Sequence, residues 1–514
     1  MKIALLVIYF GVMVAIGIYC RKHTSGINNF VLGGRSVGPW LTAFAYGTSY
    51  FSAVVFIGYA GQFGWKYGIA ATWAGIGNAI LGSLLVWVVL GRRTRIMTQH
   101  FDSTTMPQFF GQRFQSPSLK IGASIIIFIF LIPYTASLFN GLSRLFGMAF
   151  NIDYTVCIIL MGVLTGIYVI AGGYMATAIN DFVQGCIMLV GICAVVGAIL
   201  NTQGGFSEAL HNLAAVSDST TTNGDVPGIY ASFFGPEPVN LLGVVLLTSL
   251  GTWGLPQMVQ KFYAIKSEDA IHKGTVISTI FALVVSGGCY FMGGFGRLFS
   301  DQVDVATEGY DAIVPTMLSN LPELLIAIVV ILVLSASMST LSALVMTSSS
   351  TITLDLLKGN MVKKMNDFQA VFIIRCFIVV FIIISMVIAI IQYKYSISFI
   401  AQLMGVSWGA LAGAFLAPFL YGLYWKKATK AGCWASFLFS VVVMLANMLA
   451  PQLFPAVLRS SINAGAFCML AGLIIVPVVS LVTPKPDRKL VDDAFSCYDQ
   501  KVLVRQREAL GDGE

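Results

Sequence analysis

Residues 335–350 read SASMSTLSALVMTSSS and follow the apolar run IAIVVILVL. Serine and threonine hydroxyls compete for backbone partners, so helix interiors usually avoid them. A ladder of them inside an apolar helix calls for a chemical reason. Ala336, Ser339 and Thr340 stand at i, i+3 and i+4 and therefore share one helix face. Two hydroxyl oxygens and the spare lone pair of the Ala336 carbonyl can converge there, a partial oxygen shell for a small hard cation such as Na⁺. No full negative charge takes part, so the ion can leave again. The missing oxygens would come from the freed carbonyls of an interrupted helix. The stretch LTAFAYGTSYFSAVVFIGYAG is small and polar through Gly47–Ser52, which makes Thr48 and Phe51 the candidates. Unwound backbone persists in lipid only where something satisfies its polar groups, and a bound cation does so. The competing reading is that these hydroxyls bond back to carbonyls one turn earlier or aid helix packing.

Asp181 is the second informative residue. It sits in YMATAINDFVQGCIMLVG, a few residues into an apolar stretch. A carboxylate central in a membrane helix costs about 2.5–3.5 kcal/mol on insertion scales, so it usually faces a cavity or a partner. Asp181 could guide a cation leaving toward the cytoplasm, with Gln184 one turn on sharing its water. The alternative is an interfacial carboxylate at the headgroups.

The elements that would hold these residues follow from composition. The chain has 514 residues, 57% hydrophobic and only 10% charged, against about 25% charged in soluble domains. It is a polytopic membrane protein. Stretches of about 20 apolar residues give thirteen spans, near 2–20, 41–64, 70–91, 119–147, 154–173, 175–200, 239–262, 270–296, 321–354, 367–392, 396–424, 430–450 and 462–483. With the N-terminus outside and the C-terminus inside, 23 of the 30 Lys and Arg fall in cytoplasmic loops and tail, six fall outside and Arg375 lies within a span. That asymmetry is what the positive-inside rule asks for. The net charge of +7 reflects this bias and needs no nucleic-acid partner. Residues 1–484 form the membrane domain. Residues 485–514 form a cytoplasmic tail with the pattern of one amphipathic helix on a solvated end. The N-terminal apolar run resembles a signal peptide but is long, lacks an A-x-A site and ends at Arg21–Lys22, so it reads as a retained first span.

Spans two and seven are unusual in the same way. Span seven, LLTSLGTWGLPQMVQ, gathers Gly251, Thr252, Gly254 and Pro256. Each opens a set of five spans, 2–6 and 7–11, and an odd number inverts the second copy. Paired broken helices in inverted halves point to a transporter binding site. An ion channel would show a repeated filter or rings of acid. An embedded enzyme would need a His/Asp/Glu cluster within the spans, yet all four histidines lie in loops. A transporter-like sensor would carry a longer soluble domain. The nine cysteines lack metal-ligand spacing and read as small apolar groups.

NNFVLGGRSVGPWLTAF, IAGGYMATAINDFVQG, GLPQMVQKFYAIKSEDAIHKG and ASMSTLSALVMTSSS together resemble the sodium:solute symporter family over roughly residues 5–480. The resemblance implies a five-plus-five inverted-repeat (LeuT-like) fold with an added first helix and extra C-terminal helices. It implies a sodium ion held by Thr48, Phe51, Ala336, Ser339 and Thr340, with Asp181 on the sodium route. A second sodium would need hydroxyls at Ser342 and residue 343. Ala343 breaks that pattern, so one coupling ion is expected, with Ser342 left beside the exit route. The matching substrate surfaces are Tyr50, Ser52, Val55, Tyr134, Thr252, Trp253 and Pro256, with Gln402 on span eleven. Proline carriers of the family have an acid where Tyr50 stands, and pantothenate carriers have a tyrosine. The expectation is a sodium-coupled symporter in a plasma membrane, not an enzyme, importing a small monocarboxylate or amino-acid-like solute without an obligate protein partner. The rivals on the same fold are proton coupling and a sugar or sialic-acid substrate.

Overall fold

The computed structural model describes residues 2–21, 26–150, 153–218, 224–319, 321–358, 362, 364–395 and 400–499. Lys22, Lys363, Lys501, Arg505 and Arg507, and the tail beyond residue 499, lie outside the described residues. What is described is almost entirely helix, with isolated bridges and no strands among the described residues. The apolar composition dictates this, because a helix satisfies every backbone polar group within its own segment.

Each of the thirteen apolar stretches falls mainly in helix. Among the described residues, however, nine helices are long and apolar enough to cross a membrane, or ten with one bent pair taken as a single span. The counts differ because neighbouring stretches run together. Tyr154–Thr202 is 49 residues long, and at about 1.5 Å per residue it would far exceed an apolar core of about 30 Å. It is divided at Gly173, whose φ of 57° and ψ of −156° leave the helical region. Glycine reaches that conformation without a Cβ penalty. The 47-residue run Val54–His100 turns in the same way at Gly68, φ 62°.

Both interruptions expected from sequence are present. The helix Pro39–Tyr50 ends at Phe51, which has extended backbone (φ −96°, ψ 108°), and the chain resumes as a π-helical turn, Val54–Tyr59. The helix Pro238–Gly254 ends at Leu255, and Pro256–Ala264 continues at 45° to it. Pro256 opens that second half, where its missing N–H costs nothing. Gly254 permits close approach, since a Cβ there would lie 2.7 Å from the Leu416 amide nitrogen.

The hydroxyl-bearing helix Glu323–Thr351 runs through the middle of the bundle. It packs on Pro117–Phe150, Tyr154–Thr202 and Pro39–Tyr50, and every residue from Val329 to Thr351 except Ile331 is buried. The ends of the two broken spans are knitted together at the face where the sequence places the cytoplasm. Val37 N–H donates to Ala264 O and Lys266 N–H to Val37 O, both at 3.1 Å. Arg35, buried, donates to Ser103 O at 2.6 Å and Tyr263 O at 3.3 Å.

The tail departs from a solvated end. Arg488–Ser496 is a helix whose Val491 and Ala494 are buried. Lys426 Nζ meets Asp492 at 2.8 Å, and the Tyr498 hydroxyl donates to Leu423 O at 3.0 Å.

Candidate functional site

The last backbone bond of the first half-helix runs from Phe51 N–H to Gly47 O at 3.1 Å. One position on, Thr48 O takes its donors from another helix: Ser339 Oγ at 3.1 Å and Thr340 Oγ1 at 3.0 Å. The same two hydroxyls lie 3.1 and 3.0 Å from Ala336 O. Ser339 Oγ also bonds back to Ser335 O at 2.8 Å. Four oxygens, from Thr48, Ala336, Ser339 and Thr340, thus meet in one buried knot 291 and 292 residues apart in sequence. The back-bonding reading and the ion reading are both present in the geometry, because the hydroxyls that bond one turn back also reach the freed carbonyl. The donor set suits a hard cation: neutral oxygens only, two of them hydroxyls that can turn their lone pairs inward. Phe51 is buried at the break itself, its ring tilted against those of Tyr50 and Phe281. Neither the Ser339 nor the Thr340 hydroxyl donates to its carbonyl among the described residues.

Asp181 lies fully buried within the protein, beyond the Gly173 kink. Its neighbour one turn on, Gly185, sits against Thr48: a Cβ on Gly185 would lie 3.1 Å from the Thr48 methyl. Asp181 is therefore one turn from the oxygen knot. Its partner is Lys261 Nζ at 3.7 Å, with both side chains buried. Lys261 also lies 5.2 Å from the Tyr174 ring. Sequence reasoning placed Lys261 in a cytoplasmic loop. It instead belongs to the second half of the broken span, Pro256–Ala264. The signal was available, since Lys261 falls in the last turn of the stretch 239–262. Gln184 donates to the Tyr9 hydroxyl at 2.9 Å rather than to Asp181. Ser342 is spent on Ser339 O at 2.8 Å.

The aromatic and polar residues assigned to solute gather around the two breaks. The Tyr50 hydroxyl donates to Thr248 O, and its ring stacks on Trp408 at 5.5 Å. Tyr134 meets the same indole edge-on at 5.9 Å. Thr252 Oγ1 donates to Gly82 O at 3.0 Å and Trp253 Nε1 to Leu81 O at 2.9 Å. These acceptors lie in a π-helical turn, Ile80–Leu84, a geometry common at functional sites. Ser52 Oγ accepts from Val54 N–H at 3.2 Å and restarts the helix, with Val55 buried beside it. Pro256 is buried at the second break. Gln402 is not brought to this cluster: it is exposed near the start of Ile400–Tyr424, and its carbonyl accepts from Ser461. Trp408, which joins Tyr50 to Tyr134, escaped sequence reasoning. Its only mark is a tryptophan between small residues in GVSWGAL.

A broken span whose freed carbonyl meets two hydroxyls of another helix, beside a buried charge pair supplied in part by a second broken span, is an arrangement suited to an ion-coupled membrane carrier. The family comparison makes this specific. Residues 30–439 match the model of the sodium:solute symporter family, and the chain belongs to that family, whose coupling ion is Na⁺. The osmoregulated proline transporter of Bacillus subtilis (strain 168) is 28% identical over 93% of this chain and 94% of its own length. A sodium/proline symporter of Staphylococcus aureus (strain JH9) is 29% identical over 94% and 92%. The solved structure of a Na⁺-coupled sialic acid symporter, substrate-bound and outward-open, superposes with a TM-score of 0.73 over 95% of this chain and 99% of that one, at 17% identity. That likeness shows the fold.

Proposed function

We propose that the protein imports a small zwitterion or monocarboxylate, of the proline or pantothenate type, driven by one Na⁺ per cycle. The observation that carries this reading is the pair of hydroxyls from Ser339 and Thr340 converging on Thr48 O. Thr48, Phe51, Ala336, Ser339 and Thr340 hold the ion, and Asp181 eases it toward the cytoplasm past Ser342. Ion binding orders the first break against the hydroxyl helix. The solute then seats between the two breaks, with Tyr50, Trp253 and Trp408 covering its apolar part. Half-helix ends and their free N–H groups receive its carboxylate. Ser52, Val55, Tyr134, Thr252 and Pro256 complete that surface.

In this reading the chain crosses the plasma membrane thirteen times, N-terminus outside, as two inverted sets of five spans with one helix before and two after. Residues 1–484 form the transport domain and 485–514 the cytoplasmic tail. One Na⁺ crossing 100 mV supplies about 2.3 kcal/mol, and about 1.4 kcal/mol corresponds to tenfold accumulation. The two proline-transporting relatives support an amino-acid-like solute. The stacked Tyr50–Trp408 pair supports one with a compact apolar part.

The test is uptake of radiolabelled proline and pantothenate into cells or vesicles containing the full chain, with Na⁺ replaced by choline at fixed pH. Uptake of at least one solute should collapse in choline. Full uptake in choline would overturn sodium coupling at this site.

A further inference from the structure

A cavity of about 310 Å³ opens where the end of the helix Met106–Arg113, the start of Lys430–Leu449 and the segment 483–491 meet. That volume is at the lower end of the range for small-molecule sites, about 300–1,000 Å³. Three cations line it: Arg113, Lys430 and Lys485. Arg113 is 4% exposed. Its Nε donates to Gly422 O at 2.8 Å and Nη2 to Trp425 O at 3.1 Å, while the buried Nη1 has no hydrogen-bond partner. Two backbone carbonyls thus hold the Arg113 charge rigidly at this wall, where an anion offsets the cost of burying it.

The opposite wall adds a second reason. Lys430 and Ala431 are the first residues of a 20-residue helix. Amides of a first turn lack intrahelical acceptors and favour anions. The Thr429 N–H is already given to Ser480 Oγ at 3.1 Å. Asp487, the one acid on the wall, accepts from Lys489 N–H at 2.9 Å. Beside the cavity, Leu481 and Val482 expose their side chains at the end of their helix, so polar wall and lipid-facing surface adjoin.

We propose that this cavity binds a phosphate-bearing anion, held by Arg113 and the Lys430 and Lys485 ammonium groups over the first turn of the Lys430–Leu449 helix. The positive charge of one guanidinium and two ammonium groups suits phosphate oxygens. The occupant ties the 483–491 segment to the bundle, because its contacts come from both. The phosphate can belong to an anionic phospholipid headgroup or be free, and the two arms of the experiment separate these sources.

The full chain is purified in a neutral detergent and its thermal unfolding is followed against short-chain phosphatidylglycerol in one arm and inorganic phosphate in the other. Chloride at equal ionic strength is the reference. The variant is Lys430→Gln/Lys485→Gln, whose side chains are exposed, so folding is not at risk. The expected result is a saturable rise in unfolding temperature in at least one arm, with a half-saturating concentration at least tenfold higher in the variant. A rise with phosphatidylglycerol alone assigns the phosphate to lipid, and a rise with inorganic phosphate assigns it to the free ion. No rise beyond chloride in either arm, or equal half-saturation in wild type and variant, overturns the proposal.

Discussion

The two broken spans are interrupted by different means. In the first, Pro39–Tyr50, no proline marks the break, and the freed Thr48 carbonyl is capped by hydroxyls from a helix 291 residues away. In the second, the break is written locally. Gly254 and Pro256 flank Leu255, whose N–H still bonds Gly251 O at 3.1 Å, and Met258 N–H returns to Leu255 O at 3.1 Å. Side chains near this second break, Thr252 and Trp253, donate outward to the Leu81 and Gly82 carbonyls. Both breaks keep local backbone bonds, and the first alone adds a long-range cap, the Ser339 and Thr340 hydroxyls on the Thr48 carbonyl. In the proposed function an ion orders the first break and the solute seats between the two. Lys261 connects them, reaching from the second broken span to Asp181 beside the first.

That connection gives the largest expected effect. Lys261→Met leaves Asp181 buried without its partner, and breaking a buried pair from one side costs about 3–5 kcal/mol. The thermal unfolding midpoint of the purified protein should fall sharply, and Asp181→Asn added to Lys261→Met should recover most of the loss. A single variant as stable as wild type would show that the pair does not hold the two breaks together.

The next effect separates the breaks by ligand. Ser339→Ala and Thr340→Val each remove a hydroxyl from the Thr48 carbonyl. At about 1.4 kcal/mol per lost bond, the Na⁺ concentration for half-maximal uptake should rise about tenfold. If both variants kept the wild-type sodium dependence, the oxygen knot would be packing alone.

Thr252→Val and Trp253→Phe should do the converse. Each deletes one donor to the Ile80–Leu84 turn, worth about 0.5–1.5 kcal/mol. The half-saturating solute concentration should rise a few-fold while the sodium requirement stays put. A matching shift in sodium would merge the two breaks into one functional unit. The smallest effect belongs to Pro256→Ala. Its position at the start of a half-helix has no intrahelical partner to lose, so stability should change by less than about 1 kcal/mol, read as a shift of the unfolding midpoint. A collapse there would mean that the proline itself makes the bend.

Much of the fold was legible because lipid leaves the backbone few options. Long apolar stretches had to be helices, and Gly-Thr-Ser and Gly-Leu-Pro had to weaken them where they occur. The hydroxyls at 339 and 340 were legible because i, i+3 and i+4 put them on one face whatever the surroundings. One boundary was legible too: the stretches 154–173 and 175–200 part at Gly173, whose φ of 57° and ψ of −156° leave the helical region. Gln402 shows where the sequence falls short, since a residue's number does not give its exposure.

By itself, then, the sequence determined the class of protein, the helical pattern, the two weak points and the neutral-oxygen chemistry of one helix face. These are local properties, set by residue type and period. Only the tertiary structure decided that the Thr48 carbonyl meets that face, that Lys261 turns inward to Asp181, and that Trp408 stacks on Tyr50 while meeting Tyr134 edge-on. Those contacts join residues hundreds of positions apart, and their geometry comes from how whole helices cross, which no short-range pattern encodes.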